Sequence, residues 1–247
     1  MFKKVTIALY GLLCYGVGMA ALGYSAFWLI DLTPNALDGP GSDQIGLAIL
    51  IDTALIALFA LQHSGMARPT FKRVWTRIIP AASERSTYLL CTGLIMGLWF
   101  YAWQPIGLEL WRIDSGPAYT AILALYAAGW CVLVSATFFI NHFDLMGLRQ
   151  VWLNLRGLPY QDLPFMVRGL YGVVRHPIYL GWFMVIWFAP VMTVAHLLFA
   201  VLTTLYIIRA IRWEEKDLLE ALPEYDAYRQ RVPSIIPGRK QTTTQLV

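Results

Sequence analysis

Long apolar runs separated by short polar connectors extend along nearly the whole chain. Four of them, Val5–Ile30, Gln44–Met66, Thr87–Trp103 and Ala118–Ile140, can each cross the roughly 30 Å hydrocarbon core of a bilayer as a helix. Two more, Ile178–Thr193 and Ala195–Ile211, are separated by little more than Ala189-Pro190 and a short polar step. They read either as two spans or as one deeply entering helical hairpin. The pattern predicts an all-α fold, a polytopic integral-membrane helical bundle with five to six transmembrane segments.

Between the runs, the period changes. In Pro69–Pro80, Phe71, Val74, Trp75 and Ile78 recur at helical spacing with Lys72, Arg73 and Arg77 between them, which predicts a short helix lying on the membrane surface. Leu145, Leu148, Trp152 and Leu155 repeat the pattern beside Arg149 and Arg156. Gly157, Pro159, Pro164 and Gly169 mark a loop, unusually apolar at Tyr160, Leu163, Phe165 and Met166. After Glu215 an amphipathic helix continues, breaks at Pro223 and resumes with Tyr225 and Tyr228 on one face. This divides one integrated membrane domain into N-terminal transmembrane helices (1–141) and a cytosol-facing loop, hairpin and C-terminal helices (142–237). Residues 238–247 are expected to form a flexible tail.

Composition strengthens the membrane reading. Of 247 residues, 58% are hydrophobic and 14% charged, against about 25% charged in a soluble domain. All but one of the 19 Lys and Arg residues, Arg112 being the exception, fall at the termini or in the 67–86 and 142–177 connectors. The positive-inside rule then puts both termini in the cytoplasm. The net charge of +4 follows from this topology and from contact with the lipid bilayer, so no nucleic-acid partner is implied. The first apolar run is too long for a signal peptide and reads as a retained anchor. Cys14, Cys91 and Cys131 lack paired spacing, so neither a disulfide nor a metal site is expected.

Four groups of residues carry candidate chemistry. Arg168 to Tyr171 leads into Arg175-His176-Pro177, with Pro177 suited to a first helical turn. Arg175 then either binds an anion near that helix start or snorkels to headgroups. Arg209, Arg212, Glu214 and Glu215 close the last helix; there a carboxylate either accepts from a ligand amine or ribose, or joins surface ion pairs. Asn141-His142-Phe143-Asp144 offers a proton-transfer histidine that Asp144 orients, or else a polar cap. Gln62-His63-Ser64 ends the second run, with Asp52 three turns earlier and expected to bond another helix. Walker, G-x-G-x-x-G, H-E-x-x-H and G-x-S-x-G patterns are absent from the sequence.

The ordered set Arg175 to Gly181, Glu214-Glu215-Lys-Asp-Leu218, Tyr225-Asp-Ala-Tyr228 and Val232-Pro233 resembles the C-terminal signature of the isoprenylcysteine carboxyl methyltransferase superfamily. Upstream, Leu61-Gln62-His63-Ser64 with Met66-Ala67-Arg68, and Asn141 to Leu145 with Gly147-Leu148-Arg149-Gln150, resemble the bacterial methanethiol S-methyltransferases. That branch is also similar to proteins named for nitric-oxide-reductase-associated membrane functions. The resemblance implies S-adenosylmethionine in a pocket facing the cytosol at the bacterial inner membrane. By position, the contacts implied are Leu163, Pro164, Phe165, Met166, Tyr171, Arg175, His176, Pro177, Tyr179, Gly181, Glu214 and Glu215. Ala210 stands where the carboxyl methyltransferases carry a substrate-binding arginine, with Arg209 and Arg212 beside it. This departure points away from a prenylated carboxylate and toward a small thiol, methanethiol, with Gln62, Arg209 and Arg212 on the substrate side. The thiol needs a base, for which His142 with Asp144 is the first expectation and His63 the second. A lipid or prenylcysteine-type acceptor and a non-enzymatic carrier or assembly role remain the alternatives.

Overall fold

The computed structural model describes residues 1–238, so residues 239–247 of the expected tail lie outside the described residues. The elements follow the hydrophobic runs closely. Helices α1 (Phe2–Trp28), α2 (Ile45–Ala67), α4 (Glu84–Ala102), α5 (Gly116–Phe139) and α9 (Val194–Ala221) form the bundle. Between them stand the short amphipathic α3 (Pro69–Trp75), α6 (His142–Leu145) and α7 (Leu148–Arg156). Helix α8 (Pro177–Trp187) precedes α9, and α10 (Tyr225–Arg231) follows it. Among the described residues, α1, α2, α5 and α9 are long and apolar enough to cross a membrane.

Two departures from the all-α expectation occur at one end of the bundle. The run predicted as a helix to Thr193 leaves helical geometry after Trp187 and ends as strand β2 (Val191–Thr193). This pairs antiparallel with β1 (Glu109–Arg112), which follows α4. Pro190 lacks the N–H a continuing helix requires; its carbonyl instead accepts from Ile113 N–H at 2.9 Å. The first connector packs onto the same place. Asp38 accepts from Thr193 N–H at 3.0 Å and from the Thr193 hydroxyl at 2.5 Å, and lies 2.7 Å from His196 Nδ1. His196 Nε2 sits 2.9 Å from the Ile186 carbonyl. His196, unremarked in the sequence reading, is thus a fully buried tie.

The core lies between α1, α2, α4 and α9, where Trp28, Trp99, Trp103 and Phe199 meet edge to face. Burial of such rings is the largest apolar contribution available to so few residues. Asp52 is fully buried and accepts from Gln104 N–H at 2.9 Å, so its partner is the connector just after α4 and not another helix as expected. A second seam joins α5 to α8 through glycines. A Cβ on Gly181 would lie 2.7 Å from the Leu133 backbone nitrogen, and one on Gly129 would lie 2.9 Å from the Val185 side chain. Small residues let the two backbones touch, which is how apolar helices gain packing inside a bilayer. The bundle end opposite the sheet collects the last turns of α2, α5 and α9, the first turns of α4 and α8, and the elements α3, α6, α7 and α10.

Candidate active site

The C-terminal part of α9 carries two adjacent carboxylates with different neighbours. Glu215 faces the start of α8. Its Oε1 accepts from Arg175 Nε at 2.8 Å and Nη2 at 2.6 Å and lies 3.0 Å from His176 Nε2. Arg175 Nη1 donates to the carbonyls of Arg229 and Val232, at 3.1 and 2.5 Å. The backbone N–H groups of Arg175 and His176 add bonds to the Pro233 and Ser234 carbonyls. Arg175 is only 8% exposed. Four of its five N–H donors are engaged in a clamp joining α8, α9 and the chain after α10, so within the fold its partners are the Glu215 carboxylate and two carbonyls.

Glu214 is the open carboxylate. It accepts from the Tyr179 hydroxyl at 3.0 Å, stands 3.9 Å from His176 Nδ1, and keeps 43% of its side chain exposed. Tyr179 touches it, and its charge is also felt at the hydroxyls of Tyr88, Tyr171 and Tyr206, which come from α4, the turn before α8, and α9 itself. Burial first, and Glu214 second, push the Tyr171 phenol above its ordinary range. The Tyr171 carbonyl accepts from Tyr228 at 2.7 Å. Phe165 packs against the rings of Tyr225 and Tyr228, which fixes the 163–166 loop over α10. Leu163, Pro164 and Met166 stay exposed beside it.

From the other side, α2 and α4 bring His63. Its Nε2 lies 2.8 Å from the Tyr88 hydroxyl and its Nδ1 3.3 Å from Thr92 Oγ1. The ring stacks on Phe59 at 4.9 Å. Ser64 bonds Tyr206 at 3.0 Å, and Arg68 pairs with Asp217 at 2.8 Å, so the end of α2 is tied to the same face of α9. Gln62 reaches Met66 and Thr92 on this wall.

The expected His142–Asp144 pair does not form. His142 is buried between the Thr137 hydroxyl on Nδ1 and the Tyr15 hydroxyl on Nε2, both at 2.9 Å. Asp144 gives its oxygens to Arg149, Gln150 and Tyr160. Burial holds the His142 imidazole below its ordinary range, as befits a neutral tie between α1 and α5. Arg209 and Arg212, expected on the substrate side, are exposed, and Arg209 lies over the Trp213 ring. At 100° per residue they sit about 140° and 160° around α9 from Glu214. Gly181, expected at the cofactor, is the packing contact with Leu133 and Gly129.

Tyr88 and Tyr206 were missed. Tyr206 left a faint trace, eight residues before Glu214 and about 80° around the helix. Tyr88 left none, because its tie to His63 crosses between helices.

No family model matches the chain, and no solved structure matches it. Curated proteins do. It is 45% identical over 242 residues to a methanethiol S-methyltransferase of Crocosphaera subtropica, covering 96% of this chain and 95% of that one. A protein of the same name from Mycobacterium tuberculosis is 40% identical over 237 residues, covering 95% and 97%. More distantly, Nurim of Xenopus laevis is 33% identical over 183 residues, covering 70% and 64%. With near-complete coverage at this identity, the chain belongs to the methanethiol S-methyltransferase family.

Proposed function

We propose that the protein transfers a methyl group from S-adenosylmethionine to a small thiol, methanethiol, giving dimethyl sulfide and S-adenosylhomocysteine. Family membership carries the reaction. The half-exposed Glu214 ringed by tyrosines carries the place. A sulfonium methyl donor is a cation bearing an already electrophilic methyl group, and a carboxylate among aromatic faces is the environment that holds such a cation. Glu214, Tyr171, Tyr179 and His176 line this position, with Pro177 and the Leu163–Met166 loop bordering it. Arg175 and Glu215 act from behind, fixing His176 and the chain after α10.

The chain's own residues then have three tasks. Glu214 offsets the donor's charge and accepts from its polar groups. The apolar walls of α2 and α4 beside Gln62 suit a thiol with no polar handle. His63, the titratable base tied to this side, is where a proton comes to rest when the thiol ionises, because a thiol is a poor nucleophile until it does so. Alignment for in-line attack supplies the rest of the rate.

In this reading both termini and the site lie on the cytosolic side of a bacterial inner membrane. The chain crosses six times, the sixth crossing being α8 with β2. The segment Val194–Glu215 rises about 32 Å, and α8 plus an extended strand matches it. The clustering of Lys and Arg at the site's end of the bundle supports the orientation.

Purified protein given methanethiol and S-adenosylmethionine should release dimethyl sulfide into the headspace. Calorimetry should detect S-adenosylhomocysteine binding that Glu214→Gln weakens at least tenfold. Binding without dimethyl sulfide would move the acceptor to a lipid or prenylcysteine-type molecule, and absence of binding would sink the methyltransferase reading.

A further inference from the structure

The hydrogen-bond chemistry around His63 fixes more than its presence. The Thr92 hydroxyl has one proton. Three acceptors compete for it: the Tyr88 carbonyl at 3.0 Å, His63 Nδ1 at 3.3 Å and Gln62 Oε1 at 3.4 Å. The Tyr88 carbonyl, one helical turn back and the nearest of the three, takes it, so Thr92 Oγ1 meets His63 Nδ1 as an acceptor and Nδ1 carries the hydrogen. The neutral ring then presents a lone pair at Nε2, and the Tyr88 hydroxyl, 2.8 Å away, must donate to it. Stacking on Phe59 holds the imidazole in that plane. Nε2 is therefore already occupied and cannot itself meet a thiol.

Tyr88 Oη is the group that covers His63 Nε2. Its proton is committed to His63, and no donor to its lone pairs is found among the described residues. The Arg85 guanidinium stands 5.4 Å from the centre of its ring and is the first charge it feels, followed by the hydroxyl of Tyr206 and the charge of Glu214. We infer that Tyr88 is the catalytic residue that touches the thiol, and that His63 is the positioning residue and proton acceptor acting through it. This deepens the proposed function and rests on it. As the thiol S–H bond breaks, its proton passes to Tyr88 Oη while the Tyr88 proton passes to His63 Nε2. The sulfur pair forms the new S–CH3 bond, and the methyl–sulfur bond of the sulfonium breaks with its electron pair staying on the donor sulfur. Tyr88 ends neutral and His63 ends as imidazolium, so the phenolate is never a resting state.

Two variants test the wire, Tyr88→Phe and His63→Gln. Each should lose at least a hundredfold in methanethiol turnover near neutral pH while binding S-adenosylhomocysteine within threefold of the unaltered protein. The loss should shrink as pH rises, by about tenfold per unit, because free thiolate then replaces the wire. The double variant should be no worse than either single one, since both cut one path. Histidine ¹⁵N spectra of a chain with only four histidines should show the Nδ1–H tautomer at His63, and Tyr88→Phe should blur it. A pH-independent deficit, additive losses, an Nε2–H tautomer, or turnover in Tyr88→Phe within threefold of the unaltered protein would each overturn the relay. Absence of dimethyl sulfide from the unaltered protein would instead overturn the proposed function. If Tyr88→Phe no longer binds S-adenosylhomocysteine, the His63→Gln pH profile and the unaltered protein's tautomer decide the matter alone.

Discussion

Replacing Arg175 with alanine removes four donated hydrogen bonds at once, two to Glu215 and one each to the carbonyls of Arg229 and Val232. The Glu215 carboxylate, 15% exposed, would be left with His176 as its side-chain partner. Breaking a buried pair by deleting one partner costs about 3–5 kcal/mol. The cost falls on a seam, because the bonds lost join α8 and α9 to the chain after α10, while the tryptophan core lies elsewhere. Local opening of the α10 segment should therefore become about a hundredfold or more commoner, at about 1.4 kcal/mol per decade. Trypsin reads this directly, since Arg229 and Arg231 lie in α10 and helical backbone must open before cleavage. When opening is fast relative to cutting, the cleavage rate follows the open population. The expected result is cleavage after Arg229 or Arg231 accelerated by about two orders of magnitude, with S-adenosylhomocysteine binding weakened in parallel. Arg175→Lys should recover little, because an ammonium cannot reproduce a planar fork aimed at three acceptors. Cleavage of Arg175→Ala within threefold of the unaltered rate would refute the clamp.

Other substitutions test different parts of the structure. Gly181→Val should prevent α8 from seating on α5 and lower the detergent melting temperature by several degrees, since the added Cβ alone would meet Leu133 and Gly129 backbone. Gly172→Ala, where a Cβ has open space, is its neutral control. Burial, and then Asp38, raise the Asp31 carboxyl to about 6. A raised folded value means stability is complete below about 3.8 and is lost as pH climbs from there through about 6, so Asp31→Asn should raise the melting temperature at pH 8 and change it little below about pH 3.8. Asparagine also tolerates the left-handed backbone at that position (φ +60°). His142 shifts the other way: its folded value lies below the ordinary one near 6.5. Its contribution is complete above that value and declines on acidification, so His142→Gln should flatten the melting-temperature loss below about pH 6.5 and leave turnover within threefold at pH 8. Loss of turnover there would return His142 to the catalytic role.

The bundle was legible because apolar runs that must cross lipid are long, and few competing structures can bury them. Thus α1, α2, α4, α5 and α9 fall within three residues of their predicted starts. The ends were less legible. The helix predicted through Thr193 stops at Trp187 because β1, nearly 80 residues earlier, offers its backbone a partner. No local window contains that bond. The Asp38–His196 tie, spanning 158 residues, was hidden for the same reason.

The site divides along the same line. Contiguous chemistry survived translation into space: Glu214 and Glu215 end one helix, Arg175 and His176 begin another, and they meet. What spacing could not supply was direction. Asp144 follows His142 by two residues, about 200° around a helix, so adjacency in the chain kept the two apart. His63 and Tyr88, 25 residues apart, meet because α2 and α4 run side by side with those positions at one depth. Direction also separates Arg209 and Arg212 from Glu214, although all three stand within six residues. Assigning roles in such a bundle therefore requires the azimuth of each side chain as much as its type. By that criterion the proposed proton path belongs to α2 and α4, where His63 meets Tyr88, and not to the end of α5, where His142 meets Thr137 and Tyr15.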